Sequence, residues 1–354
     1  MDQIMDMSSP KDLGRWLRLE TIWLCKSLPS PVSMTPAVKD RVQKLASVAS
    51  DLALNLSELY ARPMDLQLWS MELRWLLQEG LTEREGDVRR LETLQLVAPL
   101  HYPCIPADVG SAFIKDLKTL HLLGLRLDPS FEFPANLHNL DNLGLQDIGP
   151  RTLASIGRLE NLKDLSLSGF YAAEAIGSHW AGLTALTSLC CGDDPSSSFG
   201  TLTVDGNLHA ISWPPNLLRL ELRSDGCGQF PEDSLLLGLT RLTSLSLGFT
   251  FWGIQAPIDM HIPYTLSELA SLEELALGAL GARISFAHTV PRMTSLRALE
   301  IRGLGLSRLN SLPPGCSISF ESWISEDVLE SDDELGPDEG IEGEIELVNG
   351  GPPA

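Results

Sequence analysis

The sequence predicts an α/β solenoid: short parallel strands stacked into one sheet, with a helical cap before them and an acidic tail after them. Three observations carry this. A leucine phrase recurs nine times at near-regular spacing. Apolar residues make up 44% of the chain but aromatics only 6%, so the core positions are many and of similar size. The charge is segregated along the chain: residues 321–354 hold twelve acidic side chains and no Lys or Arg.

The phrase is L-x-x-L-x-L. It stands at Leu91/Leu94/Leu96, Leu117/Leu120/Leu122, Leu140/Leu143/Leu145 and Leu162/Leu165/Leu167. It continues at Leu186/Leu189/Cys191, Leu217/Leu220/Leu222, Leu242/Leu245/Leu247, Leu272/Leu275/Leu277 and Leu296/Leu299/Ile301. Successive starts lie 26, 23, 22, 24, 31, 25, 30 and 24 residues apart. A fixed period of this size is the signature of a repeat architecture. The two long steps mark insertions around residues 194–213 and 252–264. Within each copy, x-L-x-L-x alternates with period two, which is a strand with one buried face. A single such strand cannot bury its own leucines; stacked neighbours can, at roughly 1.5–3 kcal/mol for each side chain buried. Upstream, Ile156-x-x-Leu159-x-x-Leu162 and Leu266-x-x-Leu269-x-x-Leu272 have the spacing of a short helix or 3₁₀ turn on the opposite side of the coil.

These copies closely resemble the intracellular leucine-rich-repeat family over residues 88–320. The resemblance implies a horseshoe solenoid with a parallel sheet on its concave face, and binding of a protein partner to that face. One departure is plain. The family's motif continues to an Asn or Cys three residues after the third Leu, where this chain has Leu125, Ile148, Phe170, Asp194, Asp225, Thr250, Leu280 and Leu304. The ladder of side-chain amides to turn backbone is therefore replaced, by apolar filling in most coils and by Asp or Thr in others.

Residues 1–87 are expected to form a helical N-terminal cap. Leu13, Trp16, Leu17, Trp23 and Leu24 share one helical face. Thr35-Pro36 is a helix start, with Val38, Val42, Leu45, Val48 and Leu52 following at helical spacing. A third helix is expected over residues 65–79, stopped by Gly80. The solenoid is assigned to residues 88–324, with Ile318 and Phe320 alternating as a final strand and Trp323, Ile324, Val328 and Leu329 sealing the last coil. Residues 325–354 are expected to be a disordered acidic tail, too charged to bury a core.

The formal charge is −21, of which residues 1–320 contribute 26 basic against 35 acidic side chains. That body lacks the basic surface a phosphate backbone or an anionic membrane requires, so neither nucleic acid nor membrane is an expected partner. Residues 1–12 have neither the basic nor the apolar segment of a secretion signal, and no apolar run reaches membrane-spanning length. The six cysteines, at 25, 104, 190, 191, 227 and 316, form no C-x-x-C pair and lie at no zinc-ligand spacing from His. A cytoplasmic protein with reduced thiols and no metal or other cofactor is expected. No P-loop, H-E-x-x-H, G-x-S-x-G or kinase signature occurs in the sequence, so an enzyme is not expected.

The expected partner-binding residues flank the buried leucines of the strands. They are His121, Asn142, Gln146, Asp164, Ser166, Ser188 and Cys190, then Arg219, Glu221, Arg223, Ser244, Ser246, Phe249, Glu274, Glu300 and Arg302. Arg219, Arg223 and Phe249 are the strongest candidates, because interface hot spots favour Arg and aromatics. The leading functional expectation is a scaffold or adaptor that holds a protein partner. One alternative is an F-box-like substrate receptor of a ubiquitin ligase: Leu28-Pro29 matches that module's opening, but its closing Cys-x-x-Trp is missing. The other is a structural component of a cytoskeletal or ciliary axoneme assembly.

Overall fold

The structure, a computed structural model, describes residues 51–55, 91–97, 117–134, 137–146, 148–168, 180–192, 213–225, 238–250, 258–261, 264–285, 290–307 and 312–322, with isolated positions at 40, 43, 74–75, 105, 107 and 236. The chain divides into two compact units, one comprising Met1–Phe170 with Ser178–Leu186, the other Tyr171–Gly177 with Thr187–Ala354.

The first unit contains strands β1 (Asp51–Asn55), β2 (Thr93–Val97), β3 (Thr119–Leu123), β4 (Asn142–Gln146) and β5 (Asp164–Ser168), all parallel and neighbours in chain order. One helix, α1 (Pro150–Ile156), follows β4, and a 3₁₀ turn covers Trp180–Gly182. The register is in phase throughout, so that Leu94, Leu120, Leu143 and Leu165 form one buried row and Leu96, Leu122, Leu145 and Leu167 the next.

The second unit contains β6 (Ser188–Cys191), β7 (Arg219–Asp225), β8 (Ser244–Thr250), β9 (Ile258–His261), β10 (Glu274–Ser285), β11 (Ala298–Ser307) and β12 (Ser317–Ser322). Its sheet runs β6-β7-β8-β10-β11-β12. The insertion at residues 252–264 supplies β9, which pairs with the distal half of β10 at Ala282–Ser285, beyond a register shift between Ala279 and Arg283. All nine copies of the leucine phrase thus end in a strand, as the period-two reading requires.

The segments between the strands also match the spacing seen in sequence. Short helical turns stand at α1, Trp180–Gly182, Tyr264–Glu268 and Val290–Arg292. The leading leucine of a copy closes the turn before its strand. The N–H of Leu140, Leu162, Leu186, Leu242, Leu272 and Leu296 each donates to the carbonyl three residues earlier. The next two N–H groups then donate together to one carbonyl of the preceding coil, as Asp141 and Asn142 do to Lys118 O.

The sheet begins earlier than expected. Helical spacing puts Leu52 on a helix, but β1 is a strand whose Leu52 and Leu54 pair in register with Leu94 and Leu96 of β2. The helical spacing of 38–52 and the period-two alternation of 51–55 compete there, and cross-strand pairing outweighs a weak local preference. Asp40, Gln43, Arg74 and Trp75 are helical; the rest of the second and third expected helices, apart from Leu52, lies outside the described residues. Leu28-Pro29, the first expected helix, Trp323, Ile324, Val328, Leu329 and the acidic tail lie outside the described residues.

Two mechanisms replace the missing amide ladder. At the motif's Asn position Leu125 and Ile148 are buried, as expected. The polar links lie elsewhere. Asn161, Ser271 and Ser295, each immediately before a leading leucine, donate their side chains to His138 O, Thr240 O and Ala270 O of the preceding coil. One residue after the leading leucine, Lys118 pairs with Glu92 (2.9 Å), Lys163 with Asp141 (3.4 Å) and Arg297 with Glu273 (3.9 Å). The hydrogen bond to Glu92 raises the Lys118 ammonium above its ordinary value. These exposed pairs favour the correct register more than they add stability.

A deeper polar link joins α1 to the coil before it. Ser155 and Thr152 are fully buried. Ser155 Oγ donates to Thr152 O (2.6 Å) and accepts from Phe133 N (2.9 Å), while Thr152 Oγ1 donates to Phe131 O (2.9 Å). Ser155→Ala leaves the buried Phe133 N–H without its acceptor, so a loss of about 1–3 kcal/mol is expected in urea unfolding. A loss below about 0.5 kcal/mol would show that this N–H finds another acceptor.

Candidate functional site

Period-two alternation gives each sheet two faces, one filled by leucines and one open. In the second unit the open face follows from register. Arg219, Ser244, Glu274 and Ala298 form its first row across β7, β8, β10 and β11. Glu221, Ser246, Ala276 and Glu300 form the second, and Arg223, Gly248, Gly278 and Arg302 the third. On β6, Ser188 and Cys190 stand beside Arg219 and Glu221.

The charges on this face are organised. Glu221 and Arg223 pair along β7 at 2.5 Å, and Glu300 and Arg302 pair along β11 through Arg302 Nε at 2.8 Å and Nη2 at 2.6 Å. The two strands between them carry only Ser246, Gly248, Ala276 and Gly278 in the corresponding rows. Two Glu-x-Arg pairs therefore flank a floor of small residues. At ~4.8 Å per strand the flanks stand roughly 14–15 Å apart. Each Arg is paired along its own strand, and the Arg223 stem lies beside Gly248 of the floor. Arg219 and Glu274 are exposed at the lower margin.

Gly192 and Gly248 give Arg223 its place. Gly192 follows β6 with φ +136°, and a Cβ there would lie 2.7 and 2.8 Å from the backbone O and N of Arg223. A Cβ at Gly248 would lie 3.4 Å from Arg223 Cγ. The stem of Arg223 thus runs between two positions that lack side chains.

Phe249 lies near the end of β8. It shares the parity of Leu245 and Leu247 and pairs with Ala279, which is fully buried. Register sets it between Ser224 and Ala279, and sets Gly248 between Arg223 and Gly278.

In the first unit, Thr119, Asn142 and Asp164 form one open row, and His121, Gly144 and Ser166 the next. His121 Nε2 donates to Asn142 Oδ1 at 2.8 Å. The His121 ring lies over Gly144, where a Cβ would approach it to 3.2 Å. Asp164 is half-buried and Ser166 exposed. Gln146 departs from the expectation of an exposed contact residue. It is buried, and its Oε1 accepts from the N–H of Gly124 (2.8 Å), a residue with φ 71° at the end of β3. Its amide closes a turn in the preceding coil, one of the tasks the motif's missing Asn would perform.

Cys190 lies on the open face and Cys191 among the leucines, as alternation predicts. Burial pushes the Cys191 thiol far up, so it stays protonated and packs as a small apolar group. Among the described residues no His, Cys, Asp and Glu cluster is placed to hold a metal ion, and no helix is long and apolar enough to cross a membrane.

No family model matches the sequence, and no curated protein matches it. Among solved structures, the chain is similar to a leucine-rich-repeat protein of Leptospira interrogans, with 20% identity over 88% of this chain and 74% of that one and a TM-score of 0.46. It is also similar to two internalins of Listeria monocytogenes. For inlF the identity is 13%, the coverage 84% and 81%, and the TM-score 0.43. For internalin C2 the corresponding values are 15%, 84% and 100%, and 0.37. The chain's own leucine repeats, paired in parallel strand by strand, define its fold.

Proposed function

Taking the chain as a leucine-rich-repeat solenoid, we propose that it is a protein-interaction scaffold whose partner docks on the open face of the second unit's sheet. The observation that carries this reading is the arrangement of Glu221–Arg223 and Glu300–Arg302 on either side of Ser246, Gly248, Ala276 and Gly278. Flat, side-chain-poor backbone lets a partner approach closely, and the flanking charges orient it. Charge placement of this kind contributes to specificity and association rate more than to raw affinity. Arg219, Arg223 and Arg302 are the leading contributors, since Arg is enriched among residues that dominate interfaces. We place the activity in the cytoplasm, where thiols such as those of Cys190 and Cys191 stay reduced.

Affinity purification with the intact chain, compared against an Arg219→Ala/Arg223→Ala/Arg302→Ala variant, tests the proposal. Partners that bind the second unit should fall at least about tenfold in the variant, corresponding to about 1.4 kcal/mol. An Asp164→Ala/Ser166→Ala variant, altered only on the first unit's face, should retain them. An unchanged partner list from the triple variant would remove the second unit's face as the docking surface.

A further inference from the structure

The two ends of the leucine core differ. At the N-terminal end Leu52 of β1 is 2% exposed. At the C-terminal end Ile318 and Phe320 of β12 are 37% and 39% exposed, although they continue the rows of Leu299 and Ile301, which are 1% and 0% exposed. β12 is the last strand in its sheet, and among the described residues nothing pairs with its far edge. An edge of this kind presents unpaired backbone groups beside an uncovered apolar row, which is a template for another strand. Ser317, Ile318, Ser319 and Phe320 include none of the Lys or Pro residues that commonly block such an edge.

We infer that residues 341–348 add a further parallel strand to β12, covering Ile318 and Phe320. The segment reads Ile-Glu-Gly-Glu-Ile-Glu-Leu-Val, with Glu342, Glu344 and Glu346 alternating against Ile341, Gly343, Ile345 and Leu347. That is the period-two pattern of a strand with one apolar face, set within a segment otherwise too acidic to fold by itself. Spacing agrees. Ile345 lies 27 residues after Ile318, inside the 22–31 residue range of the repeats. The return path between the strands contains Gly336-Pro337 and Gly340, and Asn349-Gly350-Gly351-Pro352 ends the segment.

Register and charge agree as well. Setting Ile345 beside Ile318 puts Leu347 beside Phe320, Glu344 beside Ser317, Glu346 beside Ser319 and Val348 beside Glu321. No Glu then stands directly beside another Glu, a pairing that would be destabilising. The new outer edge carries Glu on its open face, one of the devices by which natural edges resist further pairing. A second copy of the chain is a poorer occupant. Two β12 strands of six residues bury far less than the ~800 Å² per partner of a stable interface. A tethered segment acts at an effective concentration in the millimolar range and requires no such area.

Hydrogen–deuterium exchange of residues 317–322 tests the inference in three proteins: the full chain, a chain ending at Gly340, and full-length Ile345→Asp/Leu347→Asp. The full chain is expected to protect these amides. Both variants should exchange them at least about tenfold faster, with residues 272–277 unchanged, and a synthetic peptide of residues 339–350 should restore protection to the shortened chain. Equal exchange in all three proteins would overturn the inference. So would a full chain that is dimeric by light scattering and loses protection on dilution, because the edge would then belong to a second copy. If the variants lose protection throughout the second unit, a full-length Ser319→Cys/Glu346→Cys chain decides: an oxidised link between the peptides holding these positions supports the pairing, and its absence refutes it.

Discussion

Gly192→Ala should be among the most destabilising single substitutions in the second unit. Two costs act at one position. A non-glycine residue at φ +136° is strained by about 1–3 kcal/mol. The added methyl group also meets backbone, with Arg223 O and N at 2.7 and 2.8 Å, so β7 would have to move away from the end of β6. Overpacking of this kind typically costs about 1–3 kcal/mol more. Urea unfolding is expected to show a combined loss of about 3–4 kcal/mol. Gly238→Ala makes a control, because Gly238 also has positive φ, at +92°, but among the described residues nothing lies within 4 Å of its added Cβ. That variant should lose only the strain. If the two variants lose equal stability, the contact with Arg223 contributes nothing and β6 and β7 are free to separate. A larger loss at Gly192 should also displace Arg223, so partner binding on this face should weaken at temperatures where the variant is still folded.

This glycine illustrates what sequence could and could not reveal. The leucine phrase needed no structure, because a repeated period-two pattern has one economical solution: parallel strands with leucines in register. Each of the nine copies accordingly ends in a strand. The details that depend on what faces what were not legible. Leu52 fits both a helix and a strand, and only β2 beside it decides between them. Phe249 is singled out by residue type, but its register partners, Ser224 and Ala279, emerge only from the pairing of β7, β8 and β10. Gln146 sits at an open-face parity but turns its amide to Gly124, because the coil lacks the usual Asn. The floor between the two Glu-x-Arg pairs is invisible in the sequence for a related reason. Glycine and alanine carry no chemical signal, and their role emerges only when β8 and β10 are laid between β7 and β11.

Phe131→Ala is expected to lower the stability of the first unit by about 3–5 kcal/mol, the range for truncating a buried aromatic. Phe131 is fully buried and Phe133 is 2% exposed, with ring centroids 5.1 Å apart and planes at 80°. Their edge-to-face contact adds to the area each ring buries. The backbone of the same two residues meets α1, through Thr152 at Phe131 O and Ser155 at Phe133 N. Side chains and main chain of one short segment thus pin adjacent coils together, in a chain whose motif lacks the usual amide ladder. If that coupling holds, Phe131→Ala and Ser155→Ala should not be additive. The double variant should lose less than the sum of the single losses, because removing the ring already loosens the segment whose N–H Ser155 accepts. Strict additivity in a double-mutant cycle would mean that the aromatic pair and the polar link act separately. The loss should also be confined: exchange in β10 and β11, which belong to the other compact unit, should stay unchanged under conditions where β4 and α1 become exposed.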